Sequence, residues 1–216
     1  MSQSVAIIDY GMGNLHSVAS AVAHEAPHSH IHVTADESLI LSADHVIFPG
    51  VGAIRDCMSE INRLNLGATV KQVIAQKQPI LGVCVGMQGL MTHSEENGGV
   101  NCLDVFPAKV KLFQGAAYET GQHDHLKVPH MGWNNVKQLS DHPVWHGIKD
   151  DERFYFVHSY FVDMSDPSEV IGQCDYGQQF AAAFARDNLV AAQFHPEKSH
   201  IAGLRFLRNF LNWSGE

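Results

Sequence analysis

Cys84 stands in Gly82-Val83-Cys84-Val85-Gly86, where an apolar run opening at Pro79-Ile80-Leu81 stops and an amphipathic segment begins. This is the pattern of a nucleophile elbow, a strand-to-helix turn so tight that only glycines fit beside the nucleophile. Such a turn lifts the side chain above the sheet edge and aims helix N-terminal N–H groups at it, which favours thiolate, the attacking form. Phe194-His195-Pro196-Glu197, after another apolar run, supplies a base and a carboxylate to orient it. The chemistry expected is nucleophilic catalysis by a Cys84–His195–Glu197 triad. His158, with Ser159 and Tyr160, is a rival base; it lies inside a continuous strand pattern without a nearby carboxylate and reads as substrate wall or structure.

Positioning these groups takes a sheet. Val5 to Ile8, Ile31 to Thr34, His45 to Phe48 and Ile80 to Val83 read as strands. They alternate with helical patterns over Leu15 to Ala26, Ile54 to Arg63, Ala68 to Gln76 and a segment starting just after Cys84. That order implies parallel strands with helices on both faces. From about Ala108 the pattern turns to strands: Lys109 to Phe113, Asn135 to Leu139, Phe154 to Val162, Val170 to Cys174, Phe180 to Arg186 and Val190 to Phe194, several of which must pair antiparallel. Ile201 to Trp213 carries a closing helix stripe. The expectation is one three-layer α/β domain over residues 1–216, with a mixed, mostly parallel central sheet.

In such sheets sites collect at the C-terminal ends of the parallel strands, where the loops after Ile8, Phe48 and Val83 should converge. Pro49-Gly50-Val51-Gly52 can bring its backbone close to a substrate. Amides of Val51 and Gly52, with that of Val85, would form an oxyanion hole; alone, the loop would pass for an ordinary turn. Asp9-Tyr10-Gly11-Met12-Gly13-Asn14 is no dinucleotide fingerprint, because His16 occupies the third glycine position. A tight turn with Asn14 as helix N-cap explains it.

With 216 residues, 45% hydrophobic, the chain can bury its own core, and a net charge of −9 has the wrong sign for nucleic acid or an anionic membrane. Cys57, Cys102 and Cys174 read as small hydrophobes, and no CxxC pair, signal peptide or membrane span is legible. These features predict a soluble protein of the reducing cytoplasm. His28, His30 and His32 alternate on one face, but the solvated side of an edge strand accounts for them better than zinc; His123-Asp124-His125 is weaker still. No metal and no cofactor are expected.

GVCVGMQ at 82–88, PGVGA at 49–53 and FHPEKS at 194–199 strongly resemble the class I (triad) glutamine amidotransferases, in order along the whole chain. Within that family YGMGN at 10–14, PHMGWN at 129–134 and FYFVHSY at 154–160 resemble the glutaminase subunits of imidazole glycerol phosphate synthases. Gly89 and Met91-Thr92-His93 depart from the usual pattern, a matter of helix packing. The resemblance implies a flavodoxin-like fold and hydrolysis of L-glutamine through a cysteinyl thioester. Gly52, Gln88, Glu96, Ser159 and Tyr160 would bind glutamine, and ammonia would pass to a separate (β/α)₈ cyclase subunit docked at Asn14, Trp133, Tyr155 and Lys198. Read alone, Glu95-Glu96 is a solvated helix end, and Trp133 and Tyr155 are core aromatics. A glutaminase of anthranilate, aminodeoxychorismate or pyridoxal phosphate synthesis would share the triad without PHMGWN and FVHSY. A non-catalytic module and a cysteine hydrolase of another substrate class remain alternatives.

Overall fold

The computed structural model describes residues 3–119, 126–164 and 166–215, so His123, Asp124 and His125 lie outside it. Strands β1 (Ser4–Ile8), β2 (His30–Thr34), β3 (His45–Gly50) and β4 (Ile80–Cys84) alternate with helices α1 (Leu15–Glu25), α2 (Glu37–Ser42), α3 (Ile54–Arg63) and α4 (Leu66–Ala75). A short α5 (Val85–Gly89) leads to β5 (Met91–Ser94), β6 (Val100–Asn101), β7 (Phe106–Leu112), β8 (His130–Gln138), β9 (Glu152–His158) and β10 (Tyr160–Asp163). Strands β11 (Val170–Asp175), β12 (Gln179–Arg186) and β13 (Leu189–Ala192) precede α6 (His200–Leu211).

The central sheet has the order β2-β1-β3-β4-β13-β12-β11-β8-β9. Its first five strands run parallel, and every pairing from β13 to β9 is antiparallel. Every residue of β3, β4 and β13 is buried, as expected of strands covered on both faces. Right-handed crossovers on either side of β1 send α1 and the α2–α4 group to opposite faces; α1 packs with α6, and α2 and α3 with α4. In α3, Ile54, Cys57, Met58 and Ile61 are buried, an i, i+3, i+4, i+7 stripe facing inward. No helix among the described residues is long and apolar enough to cross a membrane.

The expected single sheet is corrected in three places. A second sheet, β10-β7-β5-β6, packs beside β12. Its β5 occupies residues expected to extend the helix after Cys84, which ends instead at Gly89. Phe154 to Val162 is not one strand: the chain leaves the central sheet at Ser159, β9 pairing with β8 and β10 with β7. The pattern runs through that break because residues on both sides are apolar and partly buried.

The short helix α2 was not foreseen, although Asp36 caps it by accepting from the Ser38 and Leu39 N–H groups. Asn14 sits at the N-cap position of α1 but makes no side-chain cap hydrogen bond. His30 and His32 lie on edge strand β2, and among the described residues no cluster of His, Cys, Asp or Glu could hold a metal.

Candidate active site

Cys84 ends β4 with φ 55° and ψ −110°, an unfavourable backbone for a residue with a Cβ. The turn is held by close packing: a Cβ on Gly86 would lie 1.9 Å from the carbonyl oxygen of Phe48, so α5 can start against β3 only with glycine there. Val85 is the first residue of α5, where helix N–H groups lack intrahelical acceptors.

His195 follows β13 and precedes the 3₁₀ turn Pro196–Lys198. Gly203 on α6 presses against that turn, a Cβ there falling 2.0 Å from the Pro196 oxygen. Beneath it Phe194 contacts Phe154 (ring centroids 4.2 Å) and Phe206 (5.2 Å). All three are fully buried, each worth about 1.5–3 kcal/mol relative to exposure.

The Nδ1 of His195 bonds Glu197 Oε1 at 2.9 Å, both side chains being buried. Its Nε2 is buried without a hydrogen-bond partner among the described residues. Burial disfavours the imidazolium, but the Cys84 sulfur and the Glu197 carboxylate outweigh it and push the His195 pKa up to about 10. Sulfur and ring thus face the same cavity and interact electrostatically.

Cys84 and His195 open on one cavity of about 330 Å³, the size for a small ligand. Val51, Gly52 and Val85 line it beside the sulfur, and Gln88, Glu96, Ser159 and Tyr160 line the rest. The loop carrying Val51 is anchored from below. Tyr10 Oη donates to the Pro49 oxygen at 2.8 Å and Cys57 Sγ to the Val51 oxygen at 3.4 Å. Burial raises the pKa of both donors, so both keep their protons.

Glu96 is half-buried in a 3₁₀ turn, not at a solvated helix end, and accepts from the Ile54 N–H at the start of α3 (3.3 Å). Burial raises its pKa, with that hydrogen bond opposing. Gln88 Nε2 uses both hydrogens inside the protein, on the Tyr160 oxygen (3.0 Å) and Gln193 Oε1 (2.9 Å). Only its Oε1 is left to meet a substrate.

His158 also lines the cavity, but both ring nitrogens are engaged, Nδ1 with the Tyr160 oxygen (2.8 Å) and Nε2 with His130 Nδ1 (3.0 Å). Burial lowers its pKa to about 3 and that of His130 to about 4. It is neutral wall rather than base. Cys57 and Cys174 are buried and Cys102 half-buried, with thiol pKa values raised by burial to about 11, 12 and 11.

Trp133, Tyr155 and Lys198 form one surface cluster, contrary to the core reading of the two aromatics. Trp133 stacks on His200 (4.9 Å, 6°) and meets the Tyr155 ring edge-on, while Lys198 Nζ lies 6.0 Å from the Tyr155 centroid. Trp133 is 41% exposed, with Met131, two residues before it, at 62% and Ile201, next to the stacked His200, at 82%. Asn14 is half-buried just before α1.

Two residues of the site have roles that no sequence motif announces. Gln193 is fully buried with Nε2 3.6 Å from Cys84 Sγ, and His130 holds His158. The signal was available for Gln193: an amide inside an otherwise buried apolar run must find hydrogen bonds or pay for its desolvation.

A family model described as glutamine amidotransferase class-I matches residues 6–213. A protein named imidazole glycerol phosphate synthase subunit HisH, from Pseudomonas putida (strain KT2440), is 56% identical over 213 residues, covering 99% of both chains. One of the same name from Nitrosococcus oceani is 51% identical over 212 residues, covering 98% of both. Among solved structures, the chain superposes on PurLQS from Thermotoga maritima with a TM-score of 0.72 at 14% identity, covering 98% of this chain and 99% of that one. It superposes on a putative GMP synthase subunit from Thermoplasma acidophilum with a TM-score of 0.70 at 18% identity, covering 98% and 94%. The structural likenesses bear on the fold alone.

Proposed function

The chain belongs to the class-I glutamine amidotransferase family, and from that membership and the site we infer that it is the glutaminase subunit of imidazole glycerol phosphate synthase, in histidine biosynthesis. Full-length identity above one half to subunits of that name supports the assignment over the chorismate- and pyridoxal-linked glutaminases.

We propose that Cys84, His195 and Glu197 act as follows. The Cys84 sulfur attacks the side-chain carboxamide of L-glutamine, its proton going to His195 Nε2, and an S–C bond forms. The tetrahedral oxyanion is held by amides of Val51, Gly52 and Val85. His195 returns the proton to nitrogen as the C–N bond breaks, releasing ammonia and leaving a γ-glutamyl thioester. Water, deprotonated by His195, cleaves the thioester to glutamate and restores the thiol. Glu197 keeps the ring oriented and supports its positive charge. Gly52, Gln88, Ser159 and Tyr160 would hold the glutamine, with Glu96 facing its α-ammonium. Every step uses protein groups, substrate and water, so no cofactor is called for.

Free ammonia near neutral pH is mostly ammonium and no nucleophile, so the product is best passed through a protected path to a partner subunit. We propose that the partner is a (β/α)₈ cyclase, docked on the surface of Trp133, Tyr155, Lys198 and Asn14, and that residues 1–216 act as one cytoplasmic domain. The exposed stacked Trp133 is the observation favouring that surface, since exposed aromatic anchors mark interfaces.

The juxtaposition of Cys84 and His195 over a cavity of about 330 Å³ carries the reading. Glutamine hydrolysis should be assayed for wild type and Cys84→Ala, with and without the cyclase and its nucleotide substrate. Wild type should release ammonia faster with the partner and the variant should release none. Ammonia from Cys84→Ala at the wild-type rate would overturn the mechanism.

A further inference from the structure

We infer that Gln193 is a further catalytic residue: its carboxamide N–H donates to the Cys84 sulfur and holds it in the anionic, attacking form. The inference rests on the triad reading above and deepens it. Gln193 Nε2 lies 3.6 Å from Cys84 Sγ, and the side chain is wholly buried at the end of β13.

An amide can be turned either way about its last bond, so the chemistry depends on which atom faces the sulfur; here the surroundings decide it. The backbone oxygen of Tyr160 only accepts, so the Gln88 atom 3.0 Å away must be nitrogen. That nitrogen's second hydrogen points to Gln193 at 2.9 Å, which must therefore offer oxygen there. Gln193 nitrogen is left toward Cys84.

The same oxygen of Tyr160 fixes the other side. It accepts from His158 Nδ1, so His158 Nε2 must accept from His130 Nδ1, and His130 Nε2 from Asn134 Nδ2 at 3.3 Å. Asn134 in turn donates to the Asp175 oxygen at 2.8 Å. Two arms thus meet on the Tyr160 oxygen, one donated from β8 through the histidines and one from Gln88. The second hydrogen of Gln88 sets Gln193 toward the nucleophile, and no link reverses without breaking another. Both histidines remain neutral at physiological pH, their pKa values lowered by burial, which their arm requires.

A neutral thiol is a weak acceptor, whereas a thiolate accepts charge-assisted bonds about twice as strong as neutral ones. A donor fixed toward sulfur therefore favours the thiolate. It complements Glu197, which acts on the far side of the imidazole.

The test uses the full chain in complex with its cyclase partner. Gln193→Met keeps the volume and removes the donor. Iodoacetamide alkylation of Cys84, followed by peptide mass spectrometry near neutral pH, should slow by about tenfold, the loss of one hydrogen bond to a charged group. Glutaminase kcat should fall similarly; because Gln88 also loses its acceptor and KM shifts with it, alkylation, which needs no glutamine, is the deciding readout. A Gln193 that merely fills space would lower the unfolding midpoint and leave the alkylation rate of folded protein unchanged; that result overturns the inference.

Should Gln193→Met not fold, the NMR signal of the Gln193 side-chain amide in otherwise intact protein decides. It should move in Cys84→Ser and stay in place in Cys102→Ser; an unmoved signal in Cys84→Ser overturns the inference. Activity surviving in Cys84→Ala would sink the triad reading itself, whereas wild-type alkylation of Gln193→Met sinks only the role of Gln193.

Discussion

Tyr155 and His195 are joined through their main chains: the Tyr155 oxygen accepts the His195 N–H at 3.0 Å. Ser199 closes the loop, its Oγ accepting the Tyr155 N–H at 2.9 Å and donating to the His195 oxygen at 2.7 Å. The imidazole is thereby tied to the edge strand that also carries Tyr155 of the exposed aromatic cluster.

Ser199→Ala removes both hydroxyl bonds and leaves the Tyr155 N–H without its acceptor, while the His195 oxygen keeps the Lys198 N–H. It should cost about 1–3 kcal/mol in stability, read from urea unfolding. On the proposed mechanism it should also lower kcat more than it raises KM, because His195 rather than Gln88, Glu96 or Tyr160 loses its support.

Two sets of histidines oppose each other with pH. The folded-state pKa of His195 is raised to about 10 from 6.5, so its contribution is complete below 6.5 and is lost as pH climbs from there through about 10. For His130 and His158 it is lowered to about 4 and 3, so the unfolded chain binds more protons on acidification, and their contribution fades as pH falls from 6.5 through those values. Unfolding free energy measured across this range should peak near pH 6.5, and His195→Asn should flatten the alkaline side only.

Glu96→Gln keeps the shape of the cavity wall and the acceptor for the Ile54 N–H while removing the charge offered to an α-ammonium. KM for glutamine should rise about tenfold, the loss of one charged hydrogen bond. Single-turnover alkylation of Cys84 should not change. A KM equal to wild type would remove Glu96 from the substrate site.

Trp133→Ala should weaken association with the cyclase by about 2 kcal/mol, as for an aromatic anchor at the centre of an interface. Isothermal titration of the two purified subunits reads this directly. The thermal midpoint of the isolated chain should hardly move, since the indole is substantially exposed.

The grouping of Cys84 with His195 and Glu197 and the parallel half of the sheet were legible because their signals are local. Glycines on both sides of Cys84, a carboxylate two residues after His195, and four short apolar runs separated by helical periods each carry their meaning within a dozen residues. What escaped depends on distant contacts. Ser159 ends β9 only because β7 pairs with the chain beyond it, and nothing in Phe156-Val157-His158-Ser159-Tyr160-Phe161 announces a change of sheet. Met91 to Ser94 become a strand because they pair with β7 and β6. Helix α2 is different: Asp36 with Glu37 and Ser38 was a readable N-terminus, obscured because the helix is too short to show a clear apolar period.

Cys84 holds a left-handed φ of 55°, a posture glycine adopts at no steric cost and cysteine adopts at a loss of about 1–3 kcal/mol. Replacing it by glycine should therefore give a sturdier molecule that cannot work. Directed evolution for heat tolerance alone would drift toward that inert form, so a screen on this scaffold must score surviving ammonia release together with melting.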